Sequence, residues 1–200
     1  MKRETSALVI LSACLSLGWA ASPPNIEYEP GTAPYTFDCD AHPGYYQEFN
    51  IHAPNGKLRL SGFIQIVSVY TPQDPHWHPL VSVFLLSPTA QPFVGFWGFV
   101  NPKLPDEFLL SMRIGFKSSP DAALSGQIGR NYTSEDFAVL GVGDGPPIAF
   151  EVTLNDSHQL TTSIGLGKKT IQSVPFDVVR ANLSCSGTHV RYSQVTVSAE

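Results

Sequence analysis

The chain has 200 residues, of which 42% are hydrophobic and 14% charged, and a formal net charge of −5. That is enough apolar material for one packed domain and argues against intrinsic disorder. No basic cluster exceeds the Lys168-Lys169 pair, so a surface that neutralises a nucleic-acid backbone is not expected.

Residues 1–20 read as a signal peptide. Lys2 and Arg3 form a basic start, and Ala7 to Trp19 is mostly apolar but short for a bilayer span. Gly18 and Ala20 supply the small residues that favour cleavage after Ala20, which gives a secreted or periplasmic protein. Leu11-Ser12-Ala13-Cys14 also resembles the lipobox of bacterial lipoproteins, in which Cys14 would be acylated and anchor the protein to the envelope. Ordinary secretion is favoured, because Leu15 to Ala21 stays apolar beyond Cys14. No later stretch is long enough for a transmembrane helix. Residues 21–36 are Pro-rich, lack periodicity and read as an extended leader into a domain over 37–200.

Tyr45 to Ile51 is the first expected strand, and Asn55-Gly56 is a turn signal. Lys57 to Leu60 alternates strictly and runs into Phe63 to Val69 as one long strand, with a bulge expected at Gly62. A polar loop over Thr71 to His76 precedes a near-continuous apolar strand, Pro79 to Leu86. Phe93 to Val100 is a strand with two glycines, Asn101 to Glu107 a loop, and Phe108 to Phe116 another strand. Ser118 to Ser125 reads as a loop, and Gln127 to Tyr132 and Phe137 to Val142 as short strands. After the Gly143–Pro146 turn comes a meander: Ile148 to Leu154, a turn at Asn155-Asp156-Ser157, Gln159 to Ile164, Phe176 to Ser184, and His189 to Val197. In the last of these the alternation slips by one residue, which predicts a bulge at Ser193-Gln194. No long segment after the leader has a helical period, and roughly ten to twelve strands argue for an all-β sandwich or barrel.

Of the three cysteines, Cys14 belongs to the leader. Export implies an oxidising compartment, so Cys39 and Cys185 are expected to form a disulfide, with two free thiols as the alternative.

The run Phe150 to Leu154, the turn, Leu160 to Gly165, Leu183-Ser184-Cys185-Ser186-Gly187-Thr188 and Val190 to Val197 resembles the C-terminal half of concanavalin A-like lectin/glucanase jelly rolls, including laminin-G-like modules. The resemblance covers the last third of the chain and, loosely, the middle. It implies a two-sheet antiparallel jelly-roll β-sandwich whose concave face binds carbohydrate. The glucanase members carry an acidic strand of the form E-x-D-x-x-E, which this sequence lacks. Asp106-Glu107 and Glu135-Asp136 are adjacent pairs in expected loops and read as solvated turn residues.

His76-Trp77-His78-Pro79 is the most distinctive tetrapeptide. Histidines two apart on an extended segment project to one side and can share a transition metal. The pair resembles the H-x-H element of cupins, but Ser82 and Val83 stand where a cupin places its glutamate. Otherwise Trp77 packs at a strand entrance beside solvated histidines. Trp77, Trp97, Tyr132 and Tyr192 are candidates for stacking on a sugar ring; Trp97 is expected in the core and Trp77 to be exposed. Asp38-Cys39-Asp40 offers oxygen ligands for Ca²⁺ or forms a turn. Asn131, Asn155 and Asn182 head N-glycosylation sequons. The leading expectation is an exported non-catalytic module for carbohydrate or cell-envelope glycan, with Trp77, His76 and His78 as its ligand-binding residues and no cofactor. The alternatives are a cupin-like metal-dependent enzyme using His76 and His78, and a structural protein-interaction domain of the envelope.

Overall fold

Alternation of apolar and polar residues becomes fourteen β-strands, and no helix, among the described residues. The computed structural model describes residues 26–28, 34–53, 58–71, 78–89, 92–101, 103–116, 132–133, 137–171 and 173–199. The strands are β1 (Ile26–Tyr28), β2 (Tyr35–Ala41), β3 (Gln47–His52), β4 (Leu58–Val69), β5 (Leu80–Leu86), β6 (Pro92–Asn101) and β7 (Leu104–Phe116). They continue with β8 (Tyr132–Thr133), β9 (Ala138–Gly141), β10 (Ile148–Leu154), β11 (Leu160–Ile164), β12 (Gly167–Ile171), β13 (Arg180–Ser186) and β14 (Thr188–Ala199). An eight-stranded sheet runs β1-β3-β13-β5-β6-β7-β8, with β9 also on β7, and a six-stranded sheet runs β12-β11-β10-β4-β14-β2. Pairing is antiparallel except between β1 and β3. The result is an all-β, two-sheet sandwich.

The core lies between the sheets. From the eight-stranded sheet come Phe49, Ile51, Val81, Val83, Leu85, Val94, Phe96, Phe108, Leu110, Ala181 and Leu183; from the other come Phe37, Leu60, Ile64, Phe150, Val152, Leu160 and Tyr192. Rings meet across the gap, as in Phe37 stacked on Phe49 at 4.8 Å and Phe96 edge-on to Phe150 at 6.3 Å. Two further links cross it. Cys39 of β2 is disulfide-bonded to Cys185 of β13, with Cα atoms 6.1 Å apart. The Tyr192 hydroxyl donates toward Ser184 O at 3.0 Å and Ser82 O at 3.2 Å, so its single proton is shared between two carbonyls.

The expected bulge at Ser193-Gln194 is present: β14 shifts register against both neighbours there, and Gln194 adopts a φ of 51°. The irregularity lies on β14 rather than on β4, which runs unbroken through Gly62. Gly62 accommodates it, since a β-carbon there would sit 3.0 Å from Ser193 O and 3.1 Å from Val195 Cα.

Several expectations need correction. Asp38-Cys39-Asp40 is not a turn but part of β2, with Tyr35, Phe37, Cys39 and Ala41 inward and both aspartates exposed. Asp106 and Glu107 lie in β7, because Asn101 pairs with Leu104 and closes the expected loop to a hairpin turn. Tyr192 is a fully buried core residue, not a stacking platform. A further strand, β12, follows β11 through a two-residue hairpin in which Gly165 takes a φ of 54°. The strand expected from Phe176 starts at Arg180; Val174 and Val178 are buried in the core outside any ladder. Asn182 heads a sequon but is completely buried, so the folded chain presents no glycosylation site there.

Two measurements probe the cross-links. Replacing Cys39 and Cys185 by serine opens a loop with a sequence separation of 146. The unfolding free energy in urea should fall by up to about 5 kcal/mol, the chain-entropy limit. Tyr192→Phe should cost about 1 kcal/mol, one net hydrogen bond. Burial pushes the Tyr192 phenol well above its ordinary range. A raised folded pKa gives stability that is complete below the unfolded tyrosine value, about pH 10, and is lost as pH rises beyond it. Alkaline unfolding should therefore be less steep in Tyr192→Phe than in wild type.

Candidate functional site

Each strand of the eight-stranded sheet turns alternate residues away from the core, and register aligns these into rows. One row runs Glu48 (β3), Ser184 (β13), Ser82 (β5), Trp97 (β6) and Ser111 (β7). Five strands at their usual spacing make it about 19 Å long. The next row holds Asn50, Asn182, Phe84 and Gly95. Gly95 is fixed by close approach: a β-carbon there would lie 2.2 Å from Val83 O.

This far face is sheltered. Glu48 is 7% exposed, Asn50 3%, and Asn182, Ser82 and Ser184 are fully covered. Beside them Phe84, Leu86, Phe93 and Trp97 form a second apolar cluster, with Phe99 packed against it. Trp97 is thus buried, as expected, but on the face opposite the main core. Shelter decreases toward Phe99, Leu109, Ser111, His52 and Arg180, which are half-buried.

The polar groups are joined to one another. Ser82 Oγ and Ser184 Oγ are 2.6 Å apart, and Asn182 Nδ2 donates to Asn50 Oδ1 at 2.9 Å and, at 3.4 Å, to Glu48 Oε2. Asn182 Oδ1 and Ser186 Oγ are buried without a hydrogen-bond partner. Leaving such groups dry and unpaired costs on the order of 1–3 kcal/mol each, so their retention needs an explanation other than stability.

His76 and Trp77 lie outside the described residues, as do Asn131, Glu135, Asp136 and the leader. His78 is exposed, and its ring meets Phe99 edge-on at 6.4 Å, while Phe99 meets Trp97 at 4.3 Å. His78 therefore stands at the rim of the far face. The Asn182–Glu48 cluster was missed in the sequence, although Asn182, Ser184 and Ser186 recur at every second position within an apolar strand. Among the described residues no group of three or more His, Cys, Asp or Glu is placed to hold a metal ion.

A separate ionic cluster occupies the outer side of β2 and β14. Asp38 Oδ1 lies 2.7 Å from His189 Nε2 and 3.7 Å from Arg191 Nε. Asp40 accepts from the Tyr70 hydroxyl, and that hydrogen bond raises the Tyr70 pKa. His42 stacks on Tyr70 at 4.3 Å. The two aspartates that suggested calcium are thus engaged by protein side chains.

No protein-family description matches the sequence, and no curated protein matches it. Among solved structures the chain is similar to the carbohydrate recognition domain of Emp46p in its potassium-bound form, with 12% identity, a TM-score of 0.51, and coverage of 81% of this chain and 82% of that one. It is also similar to an alginate lyase from Pseudomonas aeruginosa, with 16% identity, a TM-score of 0.48, and coverage of 72% of this chain and 65% of that one. The carbohydrate-binding module CBM66 from Bacillus subtilis matches at 9% identity and a TM-score of 0.46, covering 88% of this chain and all of that one. The likeness to the carbohydrate recognition domain is one of fold alone, and the fold is a jelly-roll sandwich.

The Ser82–Ser184 pair gives a direct check on the network. Ser82→Ala alone strands a buried hydroxyl and should cost about 1–3 kcal/mol, whereas Ser82→Ala with Ser184→Ala should be closer to neutral. Urea unfolding of the two singles and the double measures the coupling.

Proposed function

We propose that this chain is an exported, non-catalytic carbohydrate-binding module of the concanavalin A-like type, with the far face of its eight-stranded sheet as the binding surface. The observation that carries the reading is the sheltered row of amides, hydroxyls and a carboxylate beside Trp97 and Phe99. Sugar recognition needs both parts: an aromatic face for the apolar side of a pyranose, and fixed donors and acceptors for its hydroxyls. Shelter from water strengthens those hydrogen bonds. Asn182 is itself fully covered, so its part is to hold Asn50 and Glu48 in position rather than to touch the sugar. A carbohydrate recognition domain with the same fold is consistent with this use. Glu48 faces Ser184 and Asn182 rather than a second carboxylate, which disfavours paired-acid hydrolysis of glycosides. Export rests on the leader and on the Cys39–Cys185 disulfide, which suits an oxidising compartment.

Affinity electrophoresis in neutral and acidic polysaccharides, alginate included, together with a glycan array, tests the reading. Retention by at least one polysaccharide class is expected, with Asn182→Ala binding about tenfold more weakly, or 1.4 kcal/mol. Trp97→Phe should retain more affinity than Trp97→Ala. Melting curves establish that each variant is folded. Retention on no glycan refutes the proposal, and release of an unsaturated, ultraviolet-absorbing product from alginate refutes its non-catalytic part.

A further inference from the structure

The outer face of the six-stranded sheet carries its own row across five strands: Lys168 (β12), Ser163 (β11), Glu151 (β10), Ser61 (β4) and Thr196 (β14). This face is open to solvent, and it is not flat. A depression of about 440 Å³ lies over Ser61, Phe63, Glu151, Ser163 and Gln194, with the backbone of Gly62 in its lining. That volume is within the range of small-molecule sites.

The hollow is built by features already described. The β14 bulge lifts Gln194 out of the ladder in a left-handed conformation, and the glycine at position 62 leaves room for it, since a β-carbon there would crowd Ser193 O and Val195. Bulges of this kind re-aim a side chain, and here the side chain is an exposed amide at the rim. The register partners of Phe63 are Ala149 and Ser193, both small, so its half-buried ring is not overlaid by a large neighbour on either strand. Glu151 is held by Arg59, whose Nε lies 2.7 Å from its carboxylate and whose Nη2 also contacts it. Ser61 Oγ lies 3.0 Å from Thr196 Oγ1.

The chemistry selects a ligand class. Arg59 balances the charge of Glu151, and one carboxylate cannot cage a metal ion. A lone aromatic ring among hydroxyls, an amide and a fixed carboxylate suits a polyol ring with one apolar face. We infer that this depression is a second saccharide site, which takes a short stretch of neutral glycan with a pyranose against Phe63. The sheets of a sandwich pack about 10 Å apart, and the two sites lie on their outward faces. One glycan strand does not lie in both, so a two-site module joins separate strands and gains avidity on a polymer.

The test is a titration of the whole protein with neutral gluco-, manno-, galacto- and xylo-oligosaccharides, followed by backbone amide shifts. Shifts at Ser61, Phe63, Glu151, Ser163 and Gln194 are expected. Phe63→Ala should weaken that response at least tenfold. Gln194→Gly keeps the bulge and removes the amide, so it should weaken the response severalfold without loss of fold; it serves where Phe63→Ala does not fold. Shifts that vanish in Asn182→Ala and persist in Phe63→Ala and Gln194→Gly refute this site and leave the first. The converse supports this site and removes the first. Absence of shifts with every oligosaccharide refutes it.

Discussion

The position of β13 relative to the six-stranded sheet is the constraint on which the rest of the molecule depends. Two links converge on it from the other sheet: the Cys39–Cys185 disulfide from β2, and the Tyr192 hydroxyl from β14 to Ser184 O. Because side chains alternate, the inward positions 183 and 185 anchor the strand while the outward positions 182 and 184 stand in the polar rows. The ladders from β13 to β3 and β5, and from β5 to β6, set where Asn182 and Ser184 lie relative to Asn50, Ser82 and Trp97, on strands rather than loops, where a binding group keeps its geometry, and the staple holds that sheet against the other.

The two outward faces differ in physical character. On the six-stranded sheet, half-buried Ser, Thr and Glu side chains and the exposed Arg59 form an ordinary solvated ladder, with a local hollow where β14 bulges. On the eight-stranded sheet, β5 is buried along its whole length, so both of its faces are covered. Apolar side chains would satisfy such a face at least cost. The chain instead places a carboxylate, two amides and several hydroxyls there and leaves Asn182 Oδ1 unpaired. A partly satisfied polar network is worse for stability than an apolar one. Departures of this kind from local consistency are where function is sought.

Strand periodicity made the architecture legible. Ile148–Leu154 alternates cleanly and folds as read, the long strand ending at Val69 forms without the bulge expected at Gly62, and the one-residue slip near Gln194 marks a true bulge. β2 also alternates, yet its two aspartates resembled a turn; they are tolerated because they point outward from an edge strand. Gly167-Lys168-Lys169 hid β12, since glycine and lysine are poor strand formers until a hairpin turn and a neighbouring ladder impose the conformation. Phe176 and Val178 alternate without pairing, so periodicity reported burial rather than a strand. Neither candidate site could be read directly, because each needs long-range register. Ser82 meets Ser184, and Arg59 meets Glu151, across separations of 102 and 92 residues. Phe93 to Val100 forms the expected strand with Trp97 buried, but a continuous apolar run does not say which of its alternate residues face a second, separate cluster.

The edges of the six-stranded sheet bear on how the faces can be used. A terminal strand with free backbone groups invites pairing with another chain. One edge, β2, carries exposed Asp38 and Asp40 and is tied down by the disulfide; the other, β12, carries Lys168 and Lys169. Charge of a single sign along each edge opposes a second copy adding the same strand to itself. With self-pairing through edges disfavoured, the faces are left as the surfaces for recognition. The sheltered one suits a ligand that must shed water to bind, and the open one suits a ligand that keeps part of its hydration.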